Sequence, residues 1–112
     1  MELVFVTGNE GKFRSFRNIA GERGIKVERR ELDYPEDHDS NSTRKIAMHG
    51  AEHCAEELGE PVVVTDAGLF IETFDGFPGV NTGFTLDKIG NSGLIDLMEN
   101  EDNRKAVFRI SV

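Results

Sequence analysis

The chain has 112 residues, a mass of 12.5 kDa and a formal net charge of −8, from 21 acidic against 13 basic side chains. That length leaves room for one domain, 1–112, since domains run to roughly 100–150 residues. The acidic balance has the wrong sign for a general nucleic-acid coat.

Leu3-Val4-Phe5-Val6 is a short apolar run ended by Thr7-Gly8-Asn9, which predicts a buried strand entering a turn. From Lys12 to about Glu22, Phe13, Phe16 and Ala20 fall at helical spacing, with Gly21 or Gly24 as the stop. Ile25 to Glu31 predicts a second strand. Residues 32–41 are turn-rich and acidic and predict a loop. Ser42 or Thr43 can cap a helix reaching Leu58, whose apolar stripe is Ile46, Gly50 or Ala51, Cys54 or Ala55, and Leu58. Pro61 to Thr65 is the strongest strand signal. It runs into a turn at Asp66-Ala67-Gly68 and then a further strand from Leu69 to Phe74. Residues 75–79 read as a loop. A helix from Asn91 or Ser92 to Met98 would present Leu94, Ile95, Leu97 and Met98 as its apolar face. Lys105 to Val112 alternates as a last strand, and the chain stops inside it. Strands alternating with helices predict an α/β fold.

Four features bear on chemistry. Residues 12–30 hold seven bases against two acids, so an acidic chain carries a basic segment. That segment begins at Thr7-Gly8-Asn9-Glu10-Gly11-Lys12, a strand–turn–helix connection in which two glycines, a helix N-terminus and a lysine suit a phosphate group. A plain connector explains the same residues, and the spacing is neither a Walker motif nor G-x-G-x-x-G. Asp66 ends an apolar strand, where α/β proteins place their sites; it either holds Mg²⁺ or orients a water, or caps the turn through backbone N–H groups. Residues 76–83 hold three glycines and a proline, a shaped loop that is structural or walls a pocket with Phe77. Cys54, the lone cysteine, reads as a buried structural thiol. His49 and His53 lie four apart on a helix and read as a surface pair. No apolar run approaches the roughly 18–20 residues of a membrane span, so a cytoplasmic protein with no membrane partner is expected.

Thr7-Gly8-Asn9-x-Gly11-Lys12, then Asp66-x-Gly68-Leu69-Phe70-Ile71-Glu72, then Gly76-Phe77-Pro78-Gly79-Val80 resemble, in order and spacing, the Ham1-like inosine-triphosphate pyrophosphatases. Gly90 to Met98 and Arg104 to Phe108 continue the likeness, which is nearest the archaeal type. The resemblance implies a mixed sheet flanked by helices, the N-terminal lobe of that fold. It implies a Mg²⁺-dependent hydrolase that converts ITP, XTP or dITP to the monophosphate and pyrophosphate. Thr7, Gly8, Asn9, Glu10, Gly11 and Lys12 would hold the triphosphate; Asp66 would be the catalytic carboxylate and metal ligand; Ala67 and Gly68 would touch the substrate. It also implies a homodimer, or a partner chain pairing with strand 105–112.

The sequence departs from the family pattern at several places. Ser15 replaces a Glu, Thr65 the first of two acids, Ala67 a serine and Asn81 a tyrosine, while Arg44 and Lys45 stand near an expected metal-binding acid. The family's Phe-Gly-Tyr-Asp and Ser-His-Arg segments are absent, so base recognition would be missing or supplied by another chain. The alternative expectation is a catalytically impaired protein that binds a nucleotide or a partner.

Overall fold

The computed structural model describes all 112 residues, Met1–Val112. The elements run β1 (Glu2–Val6), α1 (Glu10–Gly21), β2 (Lys26–Arg30), α2 (Thr43–Leu58), β3 (Val62–Val63), β4 (Asp66–Ile71), a 3₁₀ turn (Glu72–Phe74), β5 (Pro78–Gly79), α3 (Thr82–Leu97) and β6 (Ala106–Ser111). The α/β class expected from the alternation is observed. Parallel and antiparallel pairings are both present, divided between two three-stranded sheets ordered β2-β1-β3 and β5-β4-β6. Backbone contacts group the chain into two compact units: residues 1–36, 47–65 and 112, and residues 37–46 and 66–111.

In the first unit β1 is the central strand, parallel to β2 over five residues and to β3 over two. Alternation along β1 sends its side chains to two cores. Val4 and Val6 pack with Ala47, Cys54 and Val64 on one face; Phe5 packs with Ala20 and Val27, and Phe13 and Phe16 of α1 close over it. The Phe5 and Phe16 rings meet edge to face, 5.0 Å apart between centroids. The α1 stripe read from the sequence is therefore the buried one. Cys54 is fully buried, and desolvation, helped by the Glu57 charge, pushes its thiol up from its ordinary value. Tyr34, from the irregular segment after β2, lies against Gly50, where a Cβ would strike its ring.

The second unit is built on β4, which pairs antiparallel with β6 over six residues and with β5 over two. Its small core joins Ile46, Phe70 and Val80. Gly68 is buried where a Cβ would run into the Gly79 carbonyl, so a bare backbone is needed for β5 to approach β4. Asn41 ties the loop before β5 in place: its Oδ1 accepts from the Val80 N–H at 2.9 Å and its Nδ2 donates to the Gly76 carbonyl at 3.5 Å.

Several expectations are corrected. Only Val62 and Val63 of the 61–65 run join a ladder. Residues 66–68 are the start of a strand, since they pair with Ser111, Ile110 and Arg109 of β6; that strand ends at Ile71, where residues 72–74 tighten into the 3₁₀ turn. Gly90, whose φ of 67° no ordinary helical residue adopts, divides α3 into two helices: the second runs from Asn91 as expected, and the first, from Thr82, was not expected. Of its expected apolar face only Leu94 is buried, while Ile95 and Leu97 are exposed.

Two stability outcomes follow. Gly68→Ala is expected to destabilise the protein by about 1–3 kcal/mol, the usual cost of forcing a group into a filled site, measured by urea unfolding. Cys54 is expected to react with a thiol reagent at pH 8 far more slowly in the native protein than in denaturant, because the buried neutral thiol is not the nucleophile; equal rates would contradict its burial.

Candidate functional site

The turn after β1 is built by its own side chains. Thr7 extends the β1–β2 ladder by one bond, its N–H donating to the Arg30 carbonyl at 3.0 Å. Its hydroxyl then accepts from the Asn9 N–H at 3.1 Å. Asn9 sits in an extended conformation and caps α1: its Oδ1 accepts from the Lys12 N–H at 3.0 Å. Gly11 leaves that cap room, since a Cβ there would lie 3.3 Å from Asn9 Oδ1. Helix geometry gives the N–H groups of Glu10 and Gly11 no intrahelical acceptor. The result is a short exposed turn with outward backbone donors at the positive end of a 12-residue helix.

Lys12 is exposed, and its Nζ donates to Thr65 Oγ1 at 3.5 Å. This link joins the turn to the residue that leaves β3 and precedes Asp66. Sequence reasoning did not identify Thr65 as its partner, because 53 residues separate the two. Arg14 and Arg17 lie exposed on α1, and Arg17 stacks over Phe13 at 5.3 Å, held along the helix face. Arg29 and Glu31 flank the turn, although the alternating charges of β2 gave no local sign of it. Arg29 Nη1 donates to Glu31 at 2.8 Å and to the Thr7 carbonyl at 3.4 Å.

Asp66 is half-buried at the head of β4, opposite Ser111, and Ala67 stands opposite Ile110. Gly68 serves the β4–β5 approach described above. The 76–83 loop is held from within: Thr82 Oγ1 donates to the Gly79 carbonyl at 2.6 Å and accepts from the Leu69 N–H at 2.9 Å. Phe77 is 44% exposed. His49 is exposed and His53 half-buried. No group of three or more His, Cys, Asp or Glu side chains converges, so the chain builds no self-sufficient metal cage. A single carboxylate can serve Mg²⁺ when phosphate oxygens complete the shell, the usual habit of that ion.

A family model described as the Ham1 family matches residues 3–112. The chain belongs to the Ham1 family. It is 51% identical over 108 residues to a dITP/XTP pyrophosphatase of Methanopyrus kandleri, covering 96% of this chain and 57% of that protein. It is 41% identical over 112 residues to a dITP/XTP pyrophosphatase of Methanothermobacter marburgensis, covering all of this chain and 59% of the relative. Among solved structures, the Ham1 protein of Staphylococcus aureus superposes with a TM-score of 0.77 at 24% identity, over 98% of this chain and 60% of that one. That likeness establishes the fold. The chain thus spans under three-fifths of the length of these two archaeal relatives. No helix is long and apolar enough to cross a membrane.

The turn's architecture makes a direct prediction. Asn9→Ala should cost about 1 kcal/mol of stability through loss of the α1 cap, read as a shift in the urea midpoint; an unchanged midpoint would show that the cap contributes nothing.

Proposed function

We propose that this chain is a nucleoside-triphosphate pyrophosphatase unit that acts on non-canonical purine nucleotides such as ITP, XTP and dITP, with products the nucleoside monophosphate and pyrophosphate. The observation that carries this reading is the capped, donor-rich Thr7–Lys12 turn, whose lysine reaches Thr65, the residue before Asp66. The names of its archaeal relatives supply the substrate class. In this reading Thr7, Gly8, Asn9, Glu10, Gly11 and Lys12 seat the triphosphate, the backbone N–H groups and Nζ offsetting its charge. Asp66 accepts the proton of a water as that water attacks and the α,β-anhydride bond breaks. Ala67 and Gly68 border the substrate. Asp66 is the residue that would hold Mg²⁺, and the ion when bound supplies charge neutralisation on the phosphates.

Pyrophosphate release from ITP, XTP and dITP with Mg²⁺ tests the proposal. Asp66→Asn is expected to lower kcat by about 10²–10⁴-fold, the range of general-base loss. Lys12→Ala is expected to raise KM by about ten- to a hundredfold, a charge-assisted contact being worth about 1.5–3 kcal/mol. No release at high protein concentration would reject the enzymatic reading.

One observation favours a binding role beside it. β6 is the edge of its sheet, and Phe108 and Ile110 are each 62% exposed. Next to it, Leu69, Ile71, Leu94, Ile95 and Ala106 line an open groove of about 220 Å³. We propose that a second copy of the chain adds its β6 antiparallel to this one. A register centred on Phe108 sets the two rings opposite each other, Val107 against Arg109 and Ala106 against Ile110, with no like charges directly opposed. Light scattering is expected to give a dimer mass, and the double variant Phe108→Asp, Ile110→Asp a monomer. A monomeric native chain would remove this reading.

A further inference from the structure

The turn already has an anion beside it. The carboxyl carbon of Glu31 is 4.0 Å from where a Cβ on Gly8 would stand, the nearest atom to that point outside residues 7–9. Glu31 is held there by Arg29 Nη1 at 2.8 Å. The same guanidinium donates to the Thr7 carbonyl at 3.4 Å and lies 3.8 Å from Glu10, the first residue of α1, through Nη2. Arg29 therefore touches the turn on its carbonyl side while holding two carboxylates around it. The Arg29 side chain is 28% exposed and that of Glu31 68%, so one end of the pair is anchored and the other stands in water. An ion pair of that kind opens at little cost.

We propose that Glu31 is an internal competitor for the phosphate turn, held over Gly8 by Arg29, and that a polyphosphate seats by displacing it and taking over the Arg29 guanidinium. The inference rests on the reading of Thr7–Lys12 as the triphosphate turn. Like-charge repulsion drives Glu31 outward as the ligand arrives. Arg29, which keeps its contact with the Thr7 carbonyl, exchanges a carboxylate for a phosphate oxygen, a partner its planar fork fits equally well. Arg29 and Glu31 are positioning residues in this scheme: one holds the turn for the ligand, the other sets the threshold for its entry.

The test is calorimetric titration of the full chain with inorganic tripolyphosphate at low salt. Glu31→Gln removes the competing charge and keeps the side chain's size; it is expected to tighten binding about three- to tenfold, and the gain should fade at high salt. Arg29→Gln is expected to weaken binding about tenfold, with Arg29→Lys in between. A purely structural role for the pair would make every one of these variants bind more weakly. Thermal unfolding of each variant confirms that folded protein is compared. If the native chain binds tripolyphosphate and Glu31→Gln binds the same or less well, the competitor role is overturned and the turn reading stands. If neither the native chain nor Glu31→Gln binds, the turn reading itself fails and this inference falls with it.

Discussion

The first unit depends on β1 being buried on both faces. A strand in the middle of a parallel sheet has no solvent side, so every residue from Val4 to Val6 is committed to a core. Val4 and Val6 fix α2 through Ala47 and Cys54; Phe5 fixes α1 through Phe16 and Ala20. A slip of one residue would exchange those two sets and place a phenylalanine where two valines fit. That register decides where the chain leaves the sheet, and so where Thr7, Gly8 and Asn9 present their backbone. The Thr7–Lys12 turn inherits its precision from the packing beneath it. Its own bonds, Asn9 to Lys12 and Asn9 to Thr7, then shape it locally.

The second unit uses a different device. On one face of β4, two residues apart, Phe70 fills the core and Gly68 stays bare against the Gly79 backbone. Asn41, from the segment before α2, and Thr82, within the loop, satisfy its polar groups. β6 contributes six rungs to β4, yet its side chains remain exposed along most of its length. A strand that spends its ladder on one neighbour and leaves apolar side chains in water is a surface with an unspent capacity for association.

The elements legible in the sequence were those whose information is local. β1, α1, β2 and α2 follow from the apolar run 3–6, from Phe13, Phe16 and Ala20, and from Ile46, Cys54 and Leu58. Ser42 acts as the expected cap of α2, its Oγ accepting from the Lys45 N–H at 3.2 Å. Misreadings arose where partners are distant. Asp66-Ala67-Gly68 looks like a turn by composition and becomes a strand because residues 109–111 pair with it. The helical stretch 82–89 carries exposed Phe84, Leu86 and Ile89 and glycines near both ends, so no apolar stripe announced it. The site divides the same way. The Thr7–Lys12 turn was visible because six adjacent residues make it. Thr65 behind Lys12, and Arg29 with Glu31 beside Gly8, were hidden because folding alone brings them there.

The proposed function turns on whether a nucleoside triphosphate binds at the Thr7–Lys12 turn. The most direct measurement is an NMR titration of the ¹⁵N-labelled chain with ITP, following backbone amides. Binding at the turn predicts saturable shifts largest at Gly8, Glu10, Gly11 and Lys12, accompanied by shifts at Thr65 and Asp66. Shifts confined to another surface, such as the wall formed by Leu3, Val27 and Pro61, or no shifts at saturating ITP, would contradict it.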